Sequence, residues 1–257
     1  MTTAPPSTQD PRVRVTRLPS GLRIVSEQMD HLATVAVGIW ICLLYTAYFA
    51  RVMQDDLPLA FDILADIVAN PAFEATELER EKDVILQEIA SIEDNPEELV
   101  FDLFMQQAFA GHALGRPILG TPHSVKAFTP ANLSAFVRRH YHPSQLVVAA
   151  AGAVDHDRLV RLAEDALASL NTNPAPAPLA KASYEGGDLR EKRRLEQVHL
   201  VMGARGVGFH DPLHESLHVL AQILGGGMSS RLFQELREKR GLCYDVNAFF
   251  TPFSDTG

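Results

Sequence analysis

Cysteine is nearly absent from this 257-residue chain. Cys42 and Cys243 lie far apart and form no CxxC or other metal spacing. That scarcity excludes a disulfide framework and a cysteine-built zinc module, and it fits a reducing compartment. Positive charge is also short: 23 Lys and Arg against 32 Asp and Glu leave a net charge of −9. The one basic cluster, "REKRR" at 190–194, is interrupted by Glu191. Nucleic acid is therefore not an expected partner. The opening "MTTAPPSTQDPRVRVTRLPSG" has no apolar core and carries Asp10 among its few arginines, so neither a secretory signal nor a transit peptide is read there, and the cytoplasm is the expected location. Long apolar runs are missing except between Leu32 and Ala50, nineteen residues without a charge. That length would span a membrane as a helix. Its content of Val35, Val37, Ile39, Trp40, Tyr45, Tyr48 and Phe49, diluted by Gly38 and Thr46, favours two strands run together by a short connection. A membrane anchor is the alternative reading of that run.

Hydrophobic residues make up 46% of the chain, enough for one large domain or two smaller ones. The pattern predicts two short strands around Pro19-Ser20-Gly21, further strands at 33–40 and 45–53, and a helix over "DDLPLAFDILADIVANP" with its apolar stripe at Leu57, Phe61, Leu64 and Val68. A long helix from Ala75 to Asp94 follows, then one capped by Asn95-Pro96, a glycine-rich loop at 111–121, a helix near 130–140, a strand at 145–152 and a helix at 155–169. Residues 1–170 thus read as a first, mixed α+β domain. The Pro- and Ala-rich stretch 171–188 reads as a linker. Residues 189–257 read as the start of a second domain: a strand "QVHLVMGARGV", helices at 212–224 and 229–239, and a strand "CYDVNAFF" at 243–250. About seventy residues are too few for a confident separate core, so this unit is expected to be incomplete.

The helix "ATELEREKDVILQEIASIED" holds an anomaly. Leu78, Ile85, Ile89 and Ile92 mark an inward face, and the 4-3-4 spacing through Glu81, Ile85, Glu88 and Ile92 puts two carboxylates on it. A buried carboxylate needs a metal, a cation or several donors; the competing reading places both at the edge of the stripe, in solvent.

Five segments, "LPSGLRIVSE", "YFARVMQDDLPLAFDILADIVANPAF", "ELEREKDVILQEIASIEDNPEELVFDLF", "GHALGRPILGT" and "GGGMSSRLFQELREKRGLCYDV", together resemble the pitrilysin family of zinc peptidases, the group of insulinase and the mitochondrial processing peptidase. The resemblance implies an α+β fold of two related α/β-sandwich units of the processing-peptidase type, zinc as cofactor, and endopeptidase cleavage of peptides. It implies that zinc is held by an inverted His-x-x-Glu-His motif and by a downstream glutamate, with the motif's glutamate as general base. Glu88 matches the downstream ligand and Glu81 a second, supporting acid. Arg237 and Tyr244 match an arginine and a tyrosine that reach the substrate and the developing oxyanion.

The motif itself is missing. None of the ten histidines opens His-x-x-Glu-His. "VAVGIW" resembles the strand before the motif helix and "YTAYFARVM" a strand well after it, with only "ICLL" between them, so the first unit is expected to carry an internal deletion that removes both histidines and the base. Catalytic zinc needs three protein ligands and an open position, and Glu88 alone cannot supply them. The stretch "HESLH", His214 to His218, spells the zincin pattern His-Glu-x-x-His, with Glu238 at an acceptable distance for a third ligand. Both histidines fall one step off the stripe Leu213, Leu217, Leu220 and Leu224, on the flank where a helix normally meets solvent, and the surface reading is favoured over the metal one. The chain is expected to be catalytically defective, with zinc absent or weakly bound. Peptide or unfolded polypeptide is the expected ligand, and a homo- or hetero-oligomer with a family member the expected state. A non-catalytic partner subunit or scaffold and a thermolysin-like zincin stand as alternatives.

Overall fold

The computed structural model describes residues 12–41, 46–170 and 180–257. The chain falls into two compact units, one of residues 1–80 with 128–178, the other of 81–127 with 179–257.

The first unit holds one mixed five-stranded sheet. Strand β1 (Val13–Arg17) turns back on β2 (Arg23–Gln28), β3 (Thr34–Ile41) on β4 (Thr46–Met53), and β5 (Leu146–Gly152) enters between them, giving the order β1-β2-β5-β3-β4. Only the β2–β5 pair is parallel. The apolar run of 32–50 is thus an antiparallel hairpin in continuous register from Ile41↔Thr46 to Thr34↔Met53. The four residues joining its arms, Cys42 among them, lie outside the described residues. Among the described residues no helix is long and apolar enough to cross a membrane.

Alternation builds the core. Ile24 on β2, Val35, Val37, Ile39 and Ile41 on β3, and Leu146 and Val148 on β5 turn to one face and are at most 2% exposed. Helix α1 (Leu57–Ala69) buries Leu57, Phe61, Leu64 and Val68 on that face, and α6 (His156–Ala166) adds Leu159 and Ala163. A proline in its first turn starts α1, and the Asp155 carboxylate caps α6 by accepting from Arg158 N at 2.7 Å. Helix α5 (Pro130–His140) opens with a Thr129/Asn132 capping box. Gly152 ends β5 at φ +122°, where a Cβ would stand 2.2 Å from the Thr34 carbonyl. The close passage of β3 requires glycine there.

The N-terminus of α6 is fastened to the sheet by a polar contact invisible in the sequence pattern. His156 and Ser26 are both buried. Ser26 Oγ lies 2.7 Å from His156 Nδ1, and Thr16 Oγ1 lies 2.8 Å from Nε2. Burial, then the nearby Arg14 guanidinium, holds the imidazole below its ordinary pKa and so favours the neutral ring.

Helix α2 (Ala75–Asp94) begins in the first unit and runs into the second. The second unit continues with α3 (Pro96–Ala108), α4 (Pro122–Ala127) and α7 (His214–Gly225). Asn95 caps α3 by accepting from Glu97 N at 3.1 Å. Residues 180–187, inside the stretch expected as a linker, pack here: Glu185 N donates to Ala108 O, Gln107 Nε2 donates to Gly186 O, and Phe109 meets Tyr184 and Phe253 edge-on.

The two strands expected in this unit do not form. Residues 197–207 and 243–250 are irregular, and Val198, Leu200 and Met202 keep a strand-like alternation while being 94%, 75% and 84% exposed. A β-strand is stabilised by its ladder, and the described residues of this unit supply none; period-2 patterning alone does not make one. The helix expected at 229–239 is a short turn followed by a π-helical segment, Phe233–Glu238.

Candidate functional site

The glutamates on α2 are where the structure decides between the two readings that the sequence left open. Ile89 is buried and Leu78, Ile85, Leu86 and Ile92 are half-buried, but Glu81 and Glu88 are both exposed. The buried charge on this helix is Lys82. Spacing of 4-3-4 selects a line of residues on a helix without saying how far from its flank the buried stripe ends, and here the line runs along the solvent edge. Glu88 is thus free to serve as a ligand without any burial that demands one. Glu81 stands two turns away, roughly 10 Å along the axis, a separation suited to support rather than to shared ligation.

Zinc is the group the resemblance implies, and the donor set does not fit it. Among the described residues no three His, Cys, Asp or Glu side chains lie close enough to hold one ion. A lone exposed carboxylate lacks the three-ligand geometry zinc chemistry requires.

Arg237 and Tyr244 do come together. The π-helical turn carries Phe233 and Arg237, and the chain then reverses through Gly241 at φ +59°, whose N–H donates to Arg237 O. This returns Tyr244 to the same guanidinium. Arg237 Cζ lies 4.6 Å from the Phe233 ring centroid and 4.9 Å from that of Tyr244, so the cation is clasped between two rings. Tyr244 is 84% exposed. Phe233 was not singled out from the sequence, although its position four residues before Arg237 on a helical turn is the signal that names it.

The histidines of "HESLH" sit in an aromatic cluster. The rings of His214 and His218 are 4.7 Å apart, with Phe209 4.8 Å from His214 and Phe250 5.1 Å from His218. His218 is exposed as expected for a flank, but the His214 side chain is only 13% exposed and its Nδ1 is buried without a hydrogen-bond partner among the described residues. His214 is therefore not the surface residue its position on the helical wheel suggested. Phe209 and Phe250, from outside α7, cover it.

Hollows open among the described residues of the first unit. One, of about 300 Å³, is lined by Tyr48, Ile67, Phe73 and Phe136; another, of about 230 Å³, by Leu18, Pro143 and Leu167. Neither contains a residue named above as a site candidate.

Comparison with known proteins places these residues in a family. The description "Insulinase (Peptidase family M16)" matches residues 43–122, and "Peptidase M16 inactive domain" matches 127–257. An uncharacterized zinc protease of Streptomyces coelicolor is 36% identical over 95% of this chain and 66% of its own length. One from Mycobacterium tuberculosis is 36% identical over 95% and 68%. One from Rickettsia bellii is 40% identical over 82% and 52%. The chain thus spans between about half and two thirds of these relatives. In fold it is similar to the crystal structure of a peptidase M16 inactive domain from Pseudomonas fluorescens, with a TM-score of 0.81 at 20% identity over 95% of this chain and 72% of that one. It is similar as well to a protease from Helicobacter pylori, with a TM-score of 0.82 at 17% identity over 96% and 73%. With 131 residues matched by one family description and zinc-protease relatives at 36% identity along nearly its whole length, the chain belongs to the insulinase, or M16, family of metallopeptidases.

Proposed function

We propose that this chain is a catalytically defective member of its family that binds peptide or unfolded polypeptide through its Arg237–Tyr244 side, acting as the non-catalytic partner or scaffold of a fuller member. The observation that carries this reading is the Arg237 guanidinium lying over both the Phe233 ring, at 4.6 Å, and the Tyr244 ring, at 4.9 Å, in a chain whose sequence has no His-x-x-Glu-His. Peptide carbonyls are acceptors, and a guanidinium and a phenol supply fixed donors to them at little conformational cost, since two rings already order the arginine.

The missing histidine segment is placed at the β3–β4 junction, where two strands that family likeness separates are joined by four residues. The alignment with the Streptomyces relative supports a deletion. It runs over 302 positions, more than the 257 residues of this chain, so that relative carries positions without a counterpart here. The division into domains at 1–170 and 189–257, the cytoplasmic location and the family-member partner belong to the same proposal.

Binding of a labelled, unstructured peptide, read by fluorescence anisotropy, tests it. Arg237→Ala and Tyr244→Ala are each expected to weaken binding about tenfold. Undiminished binding in both variants, or none in the parent chain, would remove the reading.

A further inference from the structure

The two edges of the sheet differ in kind. β1 is five residues long, includes Arg14 and Arg17, follows directly on Arg12, and ties Arg14 to Asp157 at 2.7 Å. Short length and charge are how natural sheets blunt an edge. The β4 edge is longer and less charged. It runs eight residues without proline, without interruption of its register against β3, and with Arg51 as its one charge. Its outward face bears Ala47, Phe49, Arg51 and Met53, with Phe49 75% and Met53 52% exposed. A Cβ on Gly38 would meet the Trp40 ring at 2.8 Å and Phe49 Cβ at 2.9 Å, so Trp40 and Phe49 crowd over that glycine and fix each other on the outer face. On the inner face Tyr48, Ala50 and Val52 pack against the core.

An unblunted edge presents a row of backbone donors and acceptors to any further strand, and side chains decide which strand fits. We propose that the strand is β4 of a second copy of this chain, added antiparallel about a two-fold axis through Ala50. This association of like chains is separate from the partnership with a fuller family member proposed above. Residues directly opposite in an antiparallel pair share a face, so a two-fold axis normal to the sheet must pass through a residue rather than between two. Through Ala50, Phe49 opposes Arg51 of the second copy, and Arg51 opposes its Phe49: a cation over a ring, twice. Ala47 opposes Met53, small across large. Tyr48 opposes Val52 on the inner face, aromatic across β-branched, and Ala50 meets itself on the axis. No charge meets its like. Moving the axis to Phe49 sets Phe49 against itself, leaves Arg51 across from Ala47, and gives up both cation–ring pairs.

The test uses the full chain in a Cys42→Ser/Cys243→Ser background, followed by sedimentation velocity across a concentration series. The expected result is a monomer–dimer equilibrium. Phe49→Lys, which sets Lys against Arg51 at both ends, is expected to weaken the dimer about tenfold or more, and adding Arg51→Glu to restore it. Opposed Cα atoms in an antiparallel pair stand about 4.5–5.5 Å apart, within disulfide reach, so Ala50→Cys is expected to cross-link under mild oxidation and Phe49→Cys not. A chain that stays monomeric, an association unmoved by Phe49→Lys, or cross-linking at 49 rather than 50 overturns the proposal. Peptide binding at Arg237 and Tyr244 is read separately in the Phe49→Lys variant, so the failure of one proposal is distinguished from that of the other.

Discussion

The unit built from 12–80 and 128–170 and the unit built from 81–127 and 180–257 solve the same problem unequally. The first gathers twenty buried apolar residues into one cluster between a sheet and two helices. In the second, four apolar residues are buried among the described ones, namely Ile89, Ala108, Phe109 and Val125, while Val198, Met202, Val219, Ile223 and Met228 stand largely exposed. Both contain apolar residues at the right period. The difference is a ladder: where strands pair, alternating side chains acquire a common face to bury, and where they do not, the same alternation stays in water. The second unit carries the Arg237–Tyr244 pair and the weaker core.

The sharpest way to break that contrast is to remove equal kinds of side chain from both units. Phe61→Ala, in the fully buried face of α1, is expected to cost about 3–5 kcal/mol in urea unfolding, whereas Ile223→Ala on α7 should stay within about 0.5 kcal/mol. Comparable losses at the two sites would mean that the second unit has a core after all.

A smaller effect probes the polar fastening of α6. Ser26→Ala leaves a ring nitrogen of His156 unpaired in a buried site and is expected to cost about 1–3 kcal/mol. The same histidine gives the first unit a pH dependence. Its folded pKa lies below the ordinary 6.5 because burial and Arg14 outweigh Asp155 and Asp157. As the pH falls through 6.5 the unfolded chain takes up a proton that the folded chain does not, so stability is complete above that value and declines below it. Denaturation midpoints at pH 7.5 and 5.5 check the sign, and His156→Gln should flatten the profile while lowering it throughout.

The mildest contrast lies within α7. His214→Gln is expected to cost about 0.5–1.5 kcal/mol, since its ring packs against Phe209 and His218, and His218→Gln less than about 0.5 kcal/mol. Zinc content should be the same in both variants and the parent. Loss of bound metal in either would bring back the zincin reading of this stretch.

How much of this was legible depends on how local each signal is. The hairpins, α1, the Asn95-Pro96 start of α3 and the strand expected at 145–152 follow from alternation, caps and turn residues within a few positions, and all of them form, the strand as Leu146–Gly152. The strands expected at 197–207 and 243–250 failed because strandedness is a property of pairs. The burial of His214 was hidden because Phe209 and Phe250 come from outside its helix, and Glu81 and Glu88 stayed open between core and solvent because a helical wheel fixes direction without fixing the width of the buried stripe. Arg237 and Tyr244 were named by likeness alone. The geometry adds Phe233 and the way all three are held.

On the function proposed above, Glu88 is the remnant of a zinc site whose histidine ligands the sequence lacks. Elemental analysis of the purified chain, dialysed against zinc and then against buffer, measures it directly. The account predicts far less than one zinc per chain, unchanged by Glu88→Gln. One tightly held zinc per chain, lost in Glu88→Gln, would contradict it.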